Sequence, residues 1–220
     1  MLELAAESGC SLLSIGFESI SRDTLKSVHK HVNRPETFAD LVEKVHSYGI
    51  MVFGLFMFGF DGDDCSVFQE TARFNISADY DACAYSVLTP YPGTLTWYEL
   101  KKANRIVSFD WAKYDQANVV YRPARMSGDE LRLGQNLAYE TFYAPSSIVR
   151  RFPLRGGRSR LQWSIYNVFM KKGAATDRKE AVAAPTEAPD MAPMPPILPL
   201  KREWREAVLE GTGAPGPHSR

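Results

Sequence analysis

The chain has 220 residues, and its 26 basic and 26 acidic side chains cancel to a formal net charge of zero. The balance is uneven: residues 1–100 carry 6 Lys/Arg against 14 Asp/Glu, residues 101–173 carry 14 against 5, and residues 174–220 carry 6 against 7. The longest apolar stretch, Ile50 to Gly59, is half of the ~20 residues a membrane span needs. The N-terminus lacks the basic flank of a secretory signal, and Cys10, Cys65 and Cys83 are too few and too scattered for a disulfide framework, so a reducing cytoplasm is the expected location.

Along the chain, Leu2, Ala5 and Ala6 share a helical face that Gly9 would stop, although no capping residue precedes the pattern. The run Leu12 to Phe17 has the character of a buried strand. Arg34-Pro35-Glu36 opens a helix predicted through about Tyr48, with Phe38, Leu41, Val42 and Val45 on one face. The unit then repeats. Met51 to Phe58 is apolar on both faces, followed by an acidic loop (Asp61, Asp63, Asp64) and a helix over Ser66 to Ile76. Ala82 to Leu88 is a third strand, Thr89-Pro90-Tyr91-Pro92-Gly93-Thr94 its loop, and Leu95 to Ala103 its helix. The strand ends recur at roughly 30–40 residues, the scale of a βαβ unit, so a parallel sheet is expected. Beyond Ile106 aromatic and basic residues increase. Ser127-Gly128-Asp129-Glu130 signals a helix to about Tyr143, another is predicted over Arg158 to Met170, and the Pro/Ala-rich tail from 174 to 220 is expected to be disordered apart from a short helix across Lys201 to Leu209.

In a parallel α/β sheet, ligands bind at the carboxyl ends of the strands. That rule selects Glu18-Ser19, the loop Asp61 to Asp64, and the loop Thr89 to Thr94. Gly16-Phe17-Glu18-Ser19, Lys30 twelve residues after Glu18, Gly54-Leu55-Phe56-Met57-Phe58-Gly59-Phe60-Asp61-Gly62-Asp63 and Pro90-Tyr91-Pro92-Gly93-Thr94 follow one another in order. Together they resemble the second half of a radical S-adenosylmethionine enzyme, the cobalamin-associated branch in particular.

The resemblance implies an α/β fold: a partial (β/α) barrel of about three parallel strands over residues 1–105, an α-helical basic extension over 106–173, and the tail. It implies S-adenosylmethionine and a [4Fe–4S] cluster as cofactors, with cobalamin as a further one. It also implies reductive cleavage of S-adenosylmethionine to a 5′-deoxyadenosyl radical, for hydrogen abstraction or methyl transfer on an unidentified substrate. By position Glu18 and Ser19 would contact the cofactor's ribose or amino-acid moiety, and Lys30 its carboxylate. Phe56, Phe58, Gly59 and Tyr91 would complete the cofactor-binding set, with apolar side chains and backbone against the adenine. A sulfonium ligand with a carboxylate, an ammonium and an adenine calls for an acid, a base and a flat apolar slot.

The cluster motif of that family, Cys-x3-Cys-x2-Cys, is absent, and Cys10, Cys65 and Cys83 lack the close spacing that lets thiolates converge on one cluster. No catalytic residue and no metal ligand is assigned, and the chain alone is expected to be inactive, the cluster belonging to a missing N-terminal half. Asp61-x-Asp63 has Cys65 where a calcium loop needs an oxygen ligand, and His29-x-His31 lacks the spacing of a helical zinc pair. A second expectation, from another class, is a non-catalytic module that docks a protein or nucleic acid through its sheet edge and basic helices. Between Arg150 and Lys172 stand seven basic residues and no acidic one, with Phe152, Trp163, Tyr166 and Phe169 among them. The favoured reading makes Trp163, Tyr166, Phe169 and Met170 a packing face and pairs the arginines with the acidic half, so nucleic acid is not the expected partner.

Overall fold

The computed structural model describes residues 1–28, 30, 32–154 and 157–183, with side chains as far as Lys171. His29, His31, Arg155 and the tail from 184 onward, with the helix expected across Lys201 to Leu209, lie outside the described residues.

Three strands, β1 (Leu12–Glu18), β2 (Met51–Phe58) and β3 (Ala82–Val87), form one sheet in the order β1-β2-β3, with both pairings parallel. The helices are α1 (Leu2–Glu7), α2 (Arg22–Ser27), α3 (Phe38–His46), α4 (Val67–Ser77), α5 (Leu95–Lys102), α6 (Gly128–Phe142), α7 (Pro145–Arg150) and α8 (Arg160–Ala183). Local chemistry sets their ends. The Ser21 hydroxyl accepts from Thr24 N to start α2, Thr94 does the same for α5 toward Trp97 N, and Ser127 with Glu130 forms a reciprocal capping box on α6. Gly9, at φ 85°, ends α1 by donating to Ala6 O.

One face of the sheet carries the core. Phe17, Phe56, Phe58, Tyr80 and Tyr85 are buried there among Phe38 and Val42 of α3, Phe68 and Ala72 of α4, and Ala138 and Phe142 of α6. Phe17 stacks on Phe56 with centroids 5.6 Å apart, and Phe58 on Tyr85 at the same separation. Helices α4 and α6 approach closely because position 134 is glycine: a Cβ there would stand 2.1 Å from the Phe68 ring. The opposite face of β2, with Phe53, Leu55 and Met57, is only partly covered, and Leu55 is exposed.

The two edges of the sheet differ. Along β3, side chains from α6 and from Tyr143, the residue that ends it, take the place of a neighbouring strand. Tyr143 Oη accepts from Cys83 N at 3.0 Å and donates to Cys83 O at 2.8 Å, Tyr139 Oη accepts from Tyr85 N at 3.0 Å, and Gln135 Nε2 donates to Tyr85 O at 2.7 Å. Val87 N is taken by the carbonyl of Gln116 at 2.7 Å. This edge is therefore closed to strand addition. Among the described residues no strand pairs with the far edge of β1. A three-stranded parallel sheet has two edges, and here the side chains along β3 leave only that of β1 unpaired among the described residues.

Two further expectations change. The helix predicted to stop before Pro145 does stop, but Pro145 itself opens α7, since a proline at the first helical position forfeits no intrahelical bond. Helix α8 runs to Ala183, past the boundary placed at Gly173, through a segment rich in Ala, Lys, Arg and Glu.

Candidate functional site

The carboxyl end of β1 is irregular. Gly16 pairs with Leu55 and Glu18 with Phe56, so Phe17 is an extra residue in the ladder, a β-bulge. Glu18 follows it with φ 67°, a left-handed conformation that costs a non-glycine residue about 1 kcal/mol or more. Asn33 fastens the bulge: its Nδ2 donates to Gly16 O and to Phe17 O, both at 3.0 Å. The result turns the Glu18 side chain back over Gly16, where its Oε1 receives Lys30 Nζ at 3.3 Å. The pair is accessible, with the Lys30 side chain about half exposed and that of Glu18 about a fifth. The structure thus brings together Glu18 and Lys30, two residues distant in sequence. Asn33 had no sequence signal beyond standing before Arg34-Pro35.

Ser19 is buried, and its hydroxyl accepts from Ser21 N at 3.0 Å, so it shapes the entry to α2. The loop after β2 folds around Asp63. Its Oδ2 accepts from Gly59 N at 3.0 Å and Phe60 N at 3.1 Å, and its Oδ1 from the Thr24 hydroxyl of α2 at 3.3 Å. Burial pushes this carboxyl up to about 6, against the opposing effect of those three donors. Gly59 is at φ 99°, and a Cβ on it would collide with Tyr121 and Leu131; Tyr121 donates its hydroxyl to the Gly59 carbonyl. The neighbouring acids tie the loop to the basic extension. Asp61 accepts both terminal nitrogens of Arg105 at 2.7 and 2.8 Å, and Arg125 donates to Gly62 O at 2.9 Å and to Asp64 at 3.2 Å. The charge asymmetry between the halves of the chain is realised here as intramolecular pairing.

At the end of β3, Tyr91 is partly exposed and its hydroxyl accepts from Gln116 Nε2 at 3.3 Å, while Gln116 Oε1 accepts from the Ser86 hydroxyl at 3.1 Å. Gln116, at φ 68°, joins the third loop to the strand end, a role the sequence did not signal. Thr94 donates to Tyr91 O at 2.7 Å and so holds the Pro-Tyr-Pro-Gly-Thr turn closed.

The expectation for Phe56 and Phe58 is corrected. Both side chains are about 1% exposed and point to the helix-covered side, against Tyr80, Tyr85 and Phe68. Because β2 is apolar on both faces, its sequence cannot tell which alternate set faces the helices. The residues on the open face are Phe53, Leu55 and Met57, one step out of phase.

The cysteines remain apart in kind and place: Cys10 precedes β1, Cys65 is exposed in the second loop, and Cys83 is buried in β3 with its thiol pushed up by burial. Among the described residues no group of three or more His, Cys, Asp or Glu is arranged to hold a metal ion. No helix of the described residues is long and apolar enough to cross a membrane.

The basic stretch serves the fold at two of its arginines. Arg158 pairs with Asp81 at 2.8 Å and Asp79 at 3.1 Å, beside His46 at the amino end of the sheet. Arg151 is buried without a carboxylate: its guanidinium donates to Tyr80 O, Asp81 O, Phe142 O, Asn167 Oδ1 and Ser147 Oγ, and lies 3.8 Å from the Phe142 ring centroid. Trp163 and Met170 pack inward, as expected of a packing face, whereas Phe169 is largely exposed.

No family model matches the chain. Among curated proteins, it is 38% identical over 149 residues to bacteriochlorophyllide d C-12(1)-methyltransferase of Chlorobaculum tepidum, covering 68% of this chain and 32% of that protein. It is 29% identical over 120 residues to the bacteriochlorophyllide d C-8(2)-methyltransferase of the same organism, covering 54% of this chain and 27% of the relative. It is 24% identical over 175 residues to the anaerobic magnesium-protoporphyrin IX monomethyl ester cyclase of Cereibacter sphaeroides, covering 79% and 28%. The chain therefore matches about a third of the length of these relatives, which are methyltransferases and a cyclase.

Proposed function

We propose that this chain is the carboxyl-terminal part of a radical S-adenosylmethionine enzyme whose substrate is a tetrapyrrole, with methyl transfer as the outcome. The observation that carries the reading is the Glu18–Lys30 pair at 3.3 Å, mounted on the strained bulge at the carboxyl end of β1. An ion pair whose lysine is half exposed contributes little to stability, so its strained setting calls for another use. A zwitterion can replace each partner's counter-charge: an ammonium on Glu18 and a carboxylate on Lys30. The amino-acid end of S-adenosylmethionine has that pattern, and the open face of β2 offers Phe53, Leu55 and Met57 as an apolar wall for an adenine.

The relatives support the substrate class, because the names of all three describe chemistry on bacteriochlorophyllide or magnesium-protoporphyrin. The edges of the sheet agree with a role as the last strands of a larger barrel: β3 is sealed by α6, and β1 is left to pair with a preceding strand. A [4Fe–4S] cluster does not fit the cysteines of this chain, so its ligands would have to come from outside these 220 residues.

The test grafts this chain in place of the matched segment of the C-12(1)-methyltransferase and measures S-adenosylmethionine binding by calorimetry. Binding is expected, and Glu18→Ala should weaken it by about tenfold or more, the worth of one charged hydrogen bond. Unchanged affinity in that variant removes Glu18 from the site.

A further inference from the structure

Helix α8 is apolar on two opposite faces. Trp163, Asn167 and Met170 turn inward to the body, with Trp163 2% exposed. On the far side, Leu161, Ile165, Val168 and Phe169 are 72%, 58%, 55% and 71% exposed, at the i, i+4, i+7, i+8 spacing of one helical stripe. Val149 at the end of α7 and Leu154 in the segment that follows are as exposed as Leu161. An outward stripe of this kind is a surface in want of an apolar neighbour.

The charge around the stripe specifies that neighbour. From Arg150 to Lys172 every ionised side chain is basic, seven in all. Arg158 is neutralised by Asp79 and Asp81, but Arg150, Arg160 and Lys171 are exposed. Arg160 is held in place by donating to Pro153 O and Leu154 O, beside two of the exposed leucines. Aliphatic side chains with an aromatic along a helix, bordered from Arg150 to Lys172 by cations alone, with the acidic residues of the helix (Asp177, Glu180) coming only after the stripe, are the composition of a helix that lies in a lipid interface. The helix is not apolar enough to cross a bilayer, so it would adsorb rather than span.

We propose that the outward face of α8, with the end of α7, seats this protein on an anionic lipid surface. Apolar side chains enter the acyl boundary, while Arg150, Arg160 and Lys171 meet the phosphates. The proposal is independent of the cofactor reading above.

The test is flotation of the whole 220-residue chain with vesicles of equimolar phosphatidylglycerol and phosphatidylcholine; in a density gradient, bound protein rises and aggregated protein does not. The chain is expected to float with these vesicles and to stay behind with phosphatidylcholine alone. Ile165→Asp with Val168→Asp, both at exposed positions, should abolish flotation while the circular dichroism spectrum is kept. Arg150→Gln with Lys171→Gln should weaken it by about tenfold or more. Absence of flotation with the anionic vesicles overturns the proposal, as does flotation that survives the double aspartate variant. A dimer in sedimentation equilibrium that this variant disperses, with no flotation, would assign the stripe to a second copy of the chain instead.

Discussion

The carboxylate of Glu18 lies directly over Gly16: a Cβ built on Gly16 would stand 2.9 Å from Glu18 Oε1. The glycine is thus the floor on which the acid rests, and the bulge at Phe17 and the left-handed backbone of Glu18 bring the two together. Gly16→Ala should displace the end of a flexible side chain rather than the backbone. Its stability cost should stay below about 1 kcal/mol, while S-adenosylmethionine affinity in the grafted enzyme falls. A variant with lost stability and intact affinity would contradict this.

The strain at Glu18 gives a second test. Glu18→Ala keeps a Cβ at φ 67°, whereas Glu18→Gly removes it. Both remove the carboxylate, yet the glycine variant should be the more stable of the two by about 1 kcal/mol in urea unfolding. Equal midpoints would mean that the position carries no backbone strain.

Asp63 provides the pH dependence. Its carboxyl titrates at about 6 in the fold against 3.8 for an ordinary aspartate, chiefly through burial. The folded state therefore holds its proton more tightly than the unfolded chain. The stability from this group is full below about pH 3.8 and is lost as pH rises to about 6. Asp63→Asn retains an oxygen to accept from Gly59 N and Phe60 N, and should flatten that part of the stability profile without altering the loop. An unchanged slope between those pH values would show that another group is responsible.

Arg151 binds three helices to the entrance of β3 through five acceptors and is 1% exposed. Arg151→Met would fit the volume but leave buried carbonyls of Tyr80, Asp81 and Phe142 short of a donor. The expected loss is about 3 kcal/mol or more, read as a shift in the urea midpoint. A wild-type midpoint would show that water replaces the guanidinium at no cost.

Much of this arrangement was legible in the sequence because the signals were local. Alternating strand and helix patterns gave the three parallel strands, Ser127 and Glu130 gave the start of α6, and the strand-end rule picked out Glu18. What escaped were features set by phase and by distant partners. The burial of Phe56 and Phe58 on the helix-covered side escapes a sequence reading, because a strand apolar on both faces carries no phase. Sealing of the β3 edge by Tyr139, Tyr143 and Gln135 depends on how α6 lies across the sheet, which no local pattern encodes. Asn33 acts through a contact to a bulge that is itself visible only as a shift of register. The same limit applies to α8, where a packing face of Trp163, Tyr166, Phe169 and Met170 divides into a buried Trp163 and an exposed Tyr166 and Phe169, a difference that only the position of the helix on the body decides.

In the proposed function Glu18 and Lys30 receive the two charges of a zwitterion at the carboxyl end of β1. The most direct measurement is the affinity of the grafted enzyme for S-adenosylmethionine, compared with decarboxylated S-adenosylmethionine, in the parent and in Lys30→Met. The parent should prefer the intact cofactor by about tenfold or more, and Lys30→Met should bind both alike, because the lysine's only counterpart on the ligand is that carboxylate. A parent that binds the two equally, or a Lys30→Met variant that keeps the preference, would contradict the assignment.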